Sequence, residues 1–318
     1  MLARSPIFAL LLLGTFSLAQ TPEKPARKIT PGQVIVPTEK MRRIWGELVS
    51  VDLKTRTGTF RNESNDEILS FTVLPYAELL HHAAFGDLQD FKIGERAIFR
   101  MHENDAGKWV WLTYIQDELN FLTGHKEYYH VDRIDPAAKT FEITQGSADK
   151  SYIRTKGITL ETEPTTHYWR KGQPIAFADV QVGDKLRTKT HGLGKGQRRV
   201  CWDIFLDEES VEKWRDEQRA VQVRRMKADG LPGYVDRNEG KRIELTLFQE
   251  GRDETRALKV GQDVSLAAAG ADRSATGSKA WGKIASVMPG NVTKIAITLD
   301  APSDAFRPAG LARLWPTR

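Results

Sequence analysis

Trp109 and Trp111 stand two apart in an alternating segment, and side chains at that spacing in a strand leave the same face. Two rings on one face make a platform that can stack on sugars or bases. The same spacing also suits a core-facing strand, with Val110, Leu112 and Tyr114 under a neighbouring element. A second candidate is the loop His191-Gly-Leu-Gly-Lys-Gly-Gln-Arg-Arg199, whose glycines free the backbone while Lys195, Arg198 and Arg199 supply charge for an anion. A phosphate loop leads from a strand into a helix, whereas this one joins two strands and reads as a hairpin tip. Trp109, Trp111, Lys195, Arg198 and Arg199 are the candidate ligand-binding residues.

Chemistry beyond recognition finds little local support. The histidines at positions 81, 82, 102, 125, 130, 167 and 191 show no metal spacing such as His-x3-His on one helix, and they read as surface or cap residues. His81 and His82 fall in the segment Tyr76 to Phe85, which reads as a short helix. Adjacent helical residues point about 100° apart and do not easily share an ion. No Gly-x-Ser-x-Gly elbow is present, and Cys201, between Val200 and Trp202, reads as an inert buried thiol. Asp87 with Asp90, and Asp132 with Asp135, read as turn formers. The expectation is no catalytic residue, no metal ligand, no cofactor and no enzyme activity.

Three segments share an apolar-x-apolar-Gly step into a strand: Phe91-Lys-Ile-Gly94-Glu95, Val180-Gln-Val-Gly183-Asp184 and Leu258-Lys-Val-Gly261-Gln262. Each is followed by a strand, a polar loop and a Trp-bearing strand with Trp109 and Trp111, then Trp202, then Trp281. Such recurrence predicts three small β domains in a row. The fold class expected is all-β, three tandem OB-like or SH3-like barrels with one long connecting helix. The barrels are placed at 43–122, 127–206 and 232–318. The helix occupies 207–230, with acids early, bases late, Gly230 as its stop and Val211, Trp214 and Val221 as its apolar stripe. It reads as a strut between the second and third barrels. Trp281-Gly-Lys-Ile-Ala-Ser-Val287 matches Trp45-Gly-Glu-Leu-Val-Ser-Val51 at four of seven places, across registers.

The first 19 residues read as a secretory leader: Arg4, an apolar run from Ile7 to Phe16, and a small-x-small cleavage site ending at Ala19. Residues 20–42 carry Pro22, Pro25, Pro31 and Pro37 and read as a linker. The apolar run is shorter than the ~20 residues of a membrane span. Across the 318 residues, 47 basic and 42 acidic side chains give a net charge of +5 with the signs interspersed, so a nucleic-acid partner is not expected. A single cysteine excludes an internal disulfide. The expected localisation is secreted or periplasmic.

The repeated glycine step resembles small OB-like barrel domains of bacterial secreted proteins. The stretch from Trp281 to Trp315 resembles the β-barrel domain of periplasmic adaptor proteins, which implies a role in assembling an envelope complex. The function expected is a secreted, non-enzymatic binding or scaffold protein of the bacterial cell envelope, with an envelope protein or polysaccharide as partner. A polyanion or single-strand binder using the OB-like faces, and a hydrolase with a site between domains, are the alternatives.

Overall fold

The computed structural model describes residues 41–191, 198–290 and 292–317. Barrel 1 contains β1 (Met41–Asp52), β2 (Thr57–Asn62), β3 (Ile68–His81), β4 (Ala84–Phe85), β5 (Arg96–Glu103) and β6 (Trp109–Asp117). Its wall closes in the order β1-β2-β3-β6-β5-β1, with β3 and β6 parallel and every other pair antiparallel. After α1 (Glu118–Gly124), barrel 2 follows with β7 (Glu127–Asp135), β8 (Thr140–Ser147), β9 (Ile153–Arg170), β10 (Gln173–Ile175), β11 (Lys185–His191) and β12 (Arg199–Phe205). It repeats that order, with β9 and β12 as the parallel pair. Both are five-stranded Greek-key barrels of the OB type. The long helix α2 (Glu208–Asp229) leads to barrel 3, formed by β13 (Leu231–Glu239), β14 (Arg242–Leu247), β15 (Asp263–Ala269), β16 (Ala275–Met288), β17 (Thr293–Leu299) and β18 (Leu311–Pro316), with the short α3 (Arg252–Thr255) after β14. This third barrel closes through six antiparallel strands, β13-β14-β17-β16-β15-β18. The chain is all-β with three tandem barrels, and the third has its own topology.

The three glycine steps occupy one kind of corner. Gly94, Gly183 and Gly261 have φ of +89°, +93° and +84°, the left-handed region that only glycine enters without penalty. Each is the third residue of a turn closed by the next residue's N–H, on Lys92, Gln181 and Lys259 respectively. Each glycine N–H then donates to a strand carbonyl, of Leu48, Val131 or Ile284, whose own N–H donates to the residue after the glycine. Those three strand residues each precede a β-bulge. The side chain after the glycine folds back to cap its turn: Glu95 accepts from Lys92 N at 2.9 Å, Asp184 from Gln181 N at 2.9 Å, and Gln262 from Lys259 N at 3.2 Å.

In barrels 1 and 2 the bulged strand precedes its corner in the chain, whereas in barrel 3 it follows. The likeness of Trp281–Val287 to Trp45–Val51 is therefore structural, since Leu48 and Ile284 hold equivalent corners. Barrel 3 has a second such corner: Ala309, at φ +63°, donates to the carbonyl of Val235, and Val235 N–H donates to Gly310.

Several local expectations give way to tertiary context. The segment Tyr76 to Phe85 is strand and turn, with no helix. β3 runs through Pro75, a residue that usually ends a strand, because it lies between Val73 and Glu78, where the β3–β6 ladder skips residues and needs no N–H. β1 begins at Met41, inside the segment read as linker. The cores are built from Phe, Leu, Ile and Val, and none of the eight tryptophans is fully buried. Several sit at seams: Trp45 packs edge-on to Phe121, and Trp214 of α2 touches His82, Trp169 and Phe205. Trp315 Nε1 donates to the carbonyl of Ala228.

Helix α2, N-capped by Asp207, braces all three barrels. Its buried face is half polar, with Val211, Gln218, Gln222 and Met226, so its apolar periodicity alone does not reveal it. Gln218 meets His81 and Asp90 of barrel 1, Glu208 meets Arg187 of barrel 2, and the helix ends against barrel 3. Among the described residues, no helix is long and apolar enough to cross a membrane.

Candidate functional site

The seam between barrels 1 and 2 buries a cluster of ionisable groups. At the end of β3, His82 and Ala83 have φ of +49° and +61°, a backbone strain that turns two neighbouring imidazoles to one side. The rings of His81 and His82 stack with centroids 3.7 Å apart, so the expected divergence of a helix does not apply. Glu95 comes from the first glycine corner and Asp117 from the end of β6. Into this group β11 inserts Lys189, whose Nζ lies 2.8 Å from Glu95 Oε1, 3.0 Å from His81 Nε2, 2.7 Å from His82 Nε2 and 3.8 Å from Asp117 Oδ2. The side chains of Lys189, Glu95 and Asp117 are 2%, 1% and 0% exposed, while His82 is only partly buried.

An ammonium has only donors, so both Nε2 atoms must accept from it, and Nδ1–H of His81 then donates to Gln218 Oε1 at 3.0 Å. Burial, reinforced by the adjacent ammonium, pushes both imidazoles well below their ordinary pKa. Burial raises the Glu95 carboxyl, but the Lys189 ammonium, by its charge and its hydrogen bond, outweighs it and holds the group below its usual range. Burial keeps Asp117 raised. Asp117 accepts from the backbone of His82 and Asn120, at 2.8 and 2.7 Å. Ligand atoms of His81, His82 and Asp117 all lie within 4.8 Å of one another, the spacing of a site that can hold a metal ion.

A second buried network lies in the same seam. Glu118 of α1 accepts from Arg96 at 2.8 Å, Tyr129 at 2.7 Å, Thr188 at 3.2 Å and Thr190 at 2.6 Å. Arg96 also grips Glu63 and lies over the Trp45 ring. Barrels 1 and 3 are joined in the same manner: Asp87 meets Arg56 at 2.8 Å and Arg273 at 3.7 Å, while Arg273 meets Glu250 at 2.5 Å. Asp87 and Asp90 do cap a 3-10 turn as expected of turn formers, and Asp90 also meets Arg225 of α2 at 2.8 Å.

Two surface openings lie along the seam of barrels 1 and 3, on either side of the ladder gap at Leu74 to Ala77. One cleft, of ≈ 500 Å³, is walled by Val73, Leu74, Pro75 and Trp111 against Ala269 and Leu311. The other, of ≈ 280 Å³, has the rings of Tyr76, Tyr234 and Phe248 with Glu78, Arg100 and Lys294 around them. The larger is apolar with a few polar groups, while the smaller is aromatic with polar edges, both common compositions of ligand sites.

The five candidate residues do not form one site. Trp111 lines the larger cleft, but Trp109 packs on the core of barrel 1. The expected shared face fails because of a bulge: Trp111 pairs with His102 and Trp109 with the adjacent Glu103, so the rings leave opposite faces. Arg199 is turned into the barrel 1–2 seam, 3.3 Å from Tyr129 OH and 3.8 Å from Glu63. Arg198 is paired with Glu161 on the surface. Lys195 lies outside the described residues. Cys201 is buried, and burial pushes its thiol well up. His81, His102 and His130 are buried rather than at the surface. Sequence reasoning missed Lys189, Glu95, Asp117, Tyr76, Tyr234 and Phe248. Of these only Glu95 carried a signal, as the acid of the glycine step.

No protein-family model and no curated protein matches the chain. Among solved structures, the chain is similar to "drosophila Unr CSD456", at 11% identity and TM-score 0.18, over 83% of this chain and 98% of that one. It is also similar to "Phage phi92 endosialidase", at 9% identity and TM-score 0.18, over 85% of this chain and 35% of that one. Likenesses of this strength carry no argument about activity, and strand order is what places barrels 1 and 2 in the OB class.

Proposed function

We propose that the chain is a secreted, non-enzymatic binding protein of the bacterial cell envelope that holds an elongated ligand, a polysaccharide, along the seam between barrels 1 and 3. The observation that carries this reading is the pair of clefts flanking one gap of β3, with Trp111 in one and Tyr76, Tyr234 and Phe248 in the other. Ring faces take the C–H face of a sugar, and Glu78, Arg100 and Lys294 offer partners for its hydroxyls. Buried charge networks on both sides of barrel 1 keep the seam's walls in fixed relation, so little ordering cost falls on binding. The leader-like first 19 residues support export, and the resemblance of the glycine steps supports the envelope setting.

The polyanion reading has less support, because Arg198 and Arg199 are both engaged by carboxylates or a phenol. The groups best suited to acid–base work, His81, His82, Glu95 and Asp117, face a lysine and not a cleft, which favours binding over hydrolysis. Tryptophan fluorescence of the mature chain titrated with soluble envelope polysaccharides tests the reading. Trp111→Ala and Tyr234→Ala should each weaken binding about tenfold, a hot-spot loss, while Trp202→Ala leaves it unchanged. Binding that ignores both substitutions, selective binding of an extended protein segment in place of glycans, or breakdown of the added polysaccharide would contradict it.

A further inference from the structure

The cluster at the barrel 1–2 seam divides unequally between its partners. His81, His82, Glu95 and Asp117 all belong to barrel 1, while the cation among them, Lys189, arrives from β11 of barrel 2. Barrel 1 therefore carries a preformed cage of two imidazole nitrogens and two carboxylates, and barrel 2 plugs it. Three of the four cage groups are held from behind. Gln218 holds Nδ1 of His81, Lys92 N–H holds Glu95 through Oε2, and the backbones of His82 and Asn120 hold Asp117. Outer bonds of this kind fix ligand orientation in metal sites.

We propose that this cage is a site for a divalent transition metal of the zinc class, for which the metal and the Lys189 ammonium compete. Imidazole and carboxylate donors together suit such ions. Their net negative charge calls for a cation, and Lys189 supplies a single charge where a divalent ion supplies two. A cleft of ≈ 430 Å³ between α1 and α2, lined by Ala83, Asn120, Gln222 and Val223, lies beside the cage and gives a way in. Ala83 adjoins His82, and Asn120 is bonded to Asp117. Because plug and cage belong to different barrels, metal entry withdraws Lys189 and loosens β11 from barrel 1. The seam is thus a metal-responsive latch.

Titration of the intact chain with Co2+, followed by its visible absorption, tests this independently of any glycan. The expected result is one Co2+ per chain with a nitrogen–oxygen ligand spectrum. His82→Gln should abolish that signal, and Gln218→Ala should weaken binding by about tenfold or more through loss of the outer bond. Lys189→Ala should bind Co2+ at least about tenfold more tightly than the intact chain, and hydrogen exchange of β11 amides in the intact chain should speed up on metal addition. No Co2+ signal in either the intact chain or folded Lys189→Ala would overturn the proposal. So would a signal untouched by His82→Gln. If Lys189→Ala does not fold, the intact chain and His82→Gln decide the matter.

Discussion

Lys189 Nζ and Glu95 Oε1 meet at 2.8 Å across the seam of barrels 1 and 2, with side chains only 2% and 1% exposed. A buried pair of this kind weakens a fold strongly when one partner is neutralised, because the other charge stays behind without compensation. Gln262 already caps the equivalent turn in barrel 3, so Glu95→Gln keeps the corner and removes only the charge. It should cost about 3–5 kcal/mol in denaturant unfolding. Arg198→Ala, which breaks a pair whose arginine side chain is 67% exposed, should leave the unfolding midpoint nearly unchanged, because solvent screens such a pair. Equal effects of the two substitutions would remove the buried network as a clasp.

The corner glycines separate backbone strain from crowding. A Cβ at Gly183 or Gly261 would meet nothing within 4 Å, so only the positive φ resists a larger residue. Gly183→Ala and Gly261→Ala should each destabilise by about 1 kcal/mol, with Asn better tolerated than Ala because it enters the left-handed region more readily. Thermal unfolding measures the effect, and a neutral Ala variant would contradict the assignment of the corner.

Alkali should act through buried phenols. Burial pushes Tyr76 and Tyr114 up to about 12, and burial with Glu118 pushes Tyr129 higher still. A raised folded pKa gives stability that is complete below the unfolded value, near 10, and is lost as pH climbs through the folded one. Stability should therefore fall between about pH 10 and 12, by up to roughly 1.4 kcal/mol per pH unit for the fully buried Tyr129 and by less for the partly exposed Tyr76 and Tyr114, where solvent screens the effect. Phenolate absorbance of the native chain should lag that of the chain in guanidinium over this range. Coincident titrations would contradict the burial of these three hydroxyls.

The glycine corner was legible because every part of it is local: an apolar pair, a left-handed residue and a capping side chain within a few positions. The Trp109–Trp111 platform was not, since the bulge at Val110 is set by the register of β5, which the segment itself does not encode. The strand through Pro75 stayed hidden for a similar reason, because the absence of a ladder partner there is a tertiary fact. The cage assembles residues from four separated places, His81 with His82, Glu95, Asp117 and Lys189, and no spacing announces it. Helix α2 was readable by its caps and charge order, yet the glutamines that dock it carry no apolar signal.

Affinity as a function of glycan length tests the seam site most directly. Size-fractionated oligosaccharides of one envelope polysaccharide, titrated into the mature chain, should bind more tightly with each added sugar until both clefts beside Leu74 to Ala77 are spanned, and then level off. Tyr234→Ala should remove the gain from length while sparing the shortest binder. Affinity independent of length, or a length dependence that survives Tyr234→Ala, would contradict the account.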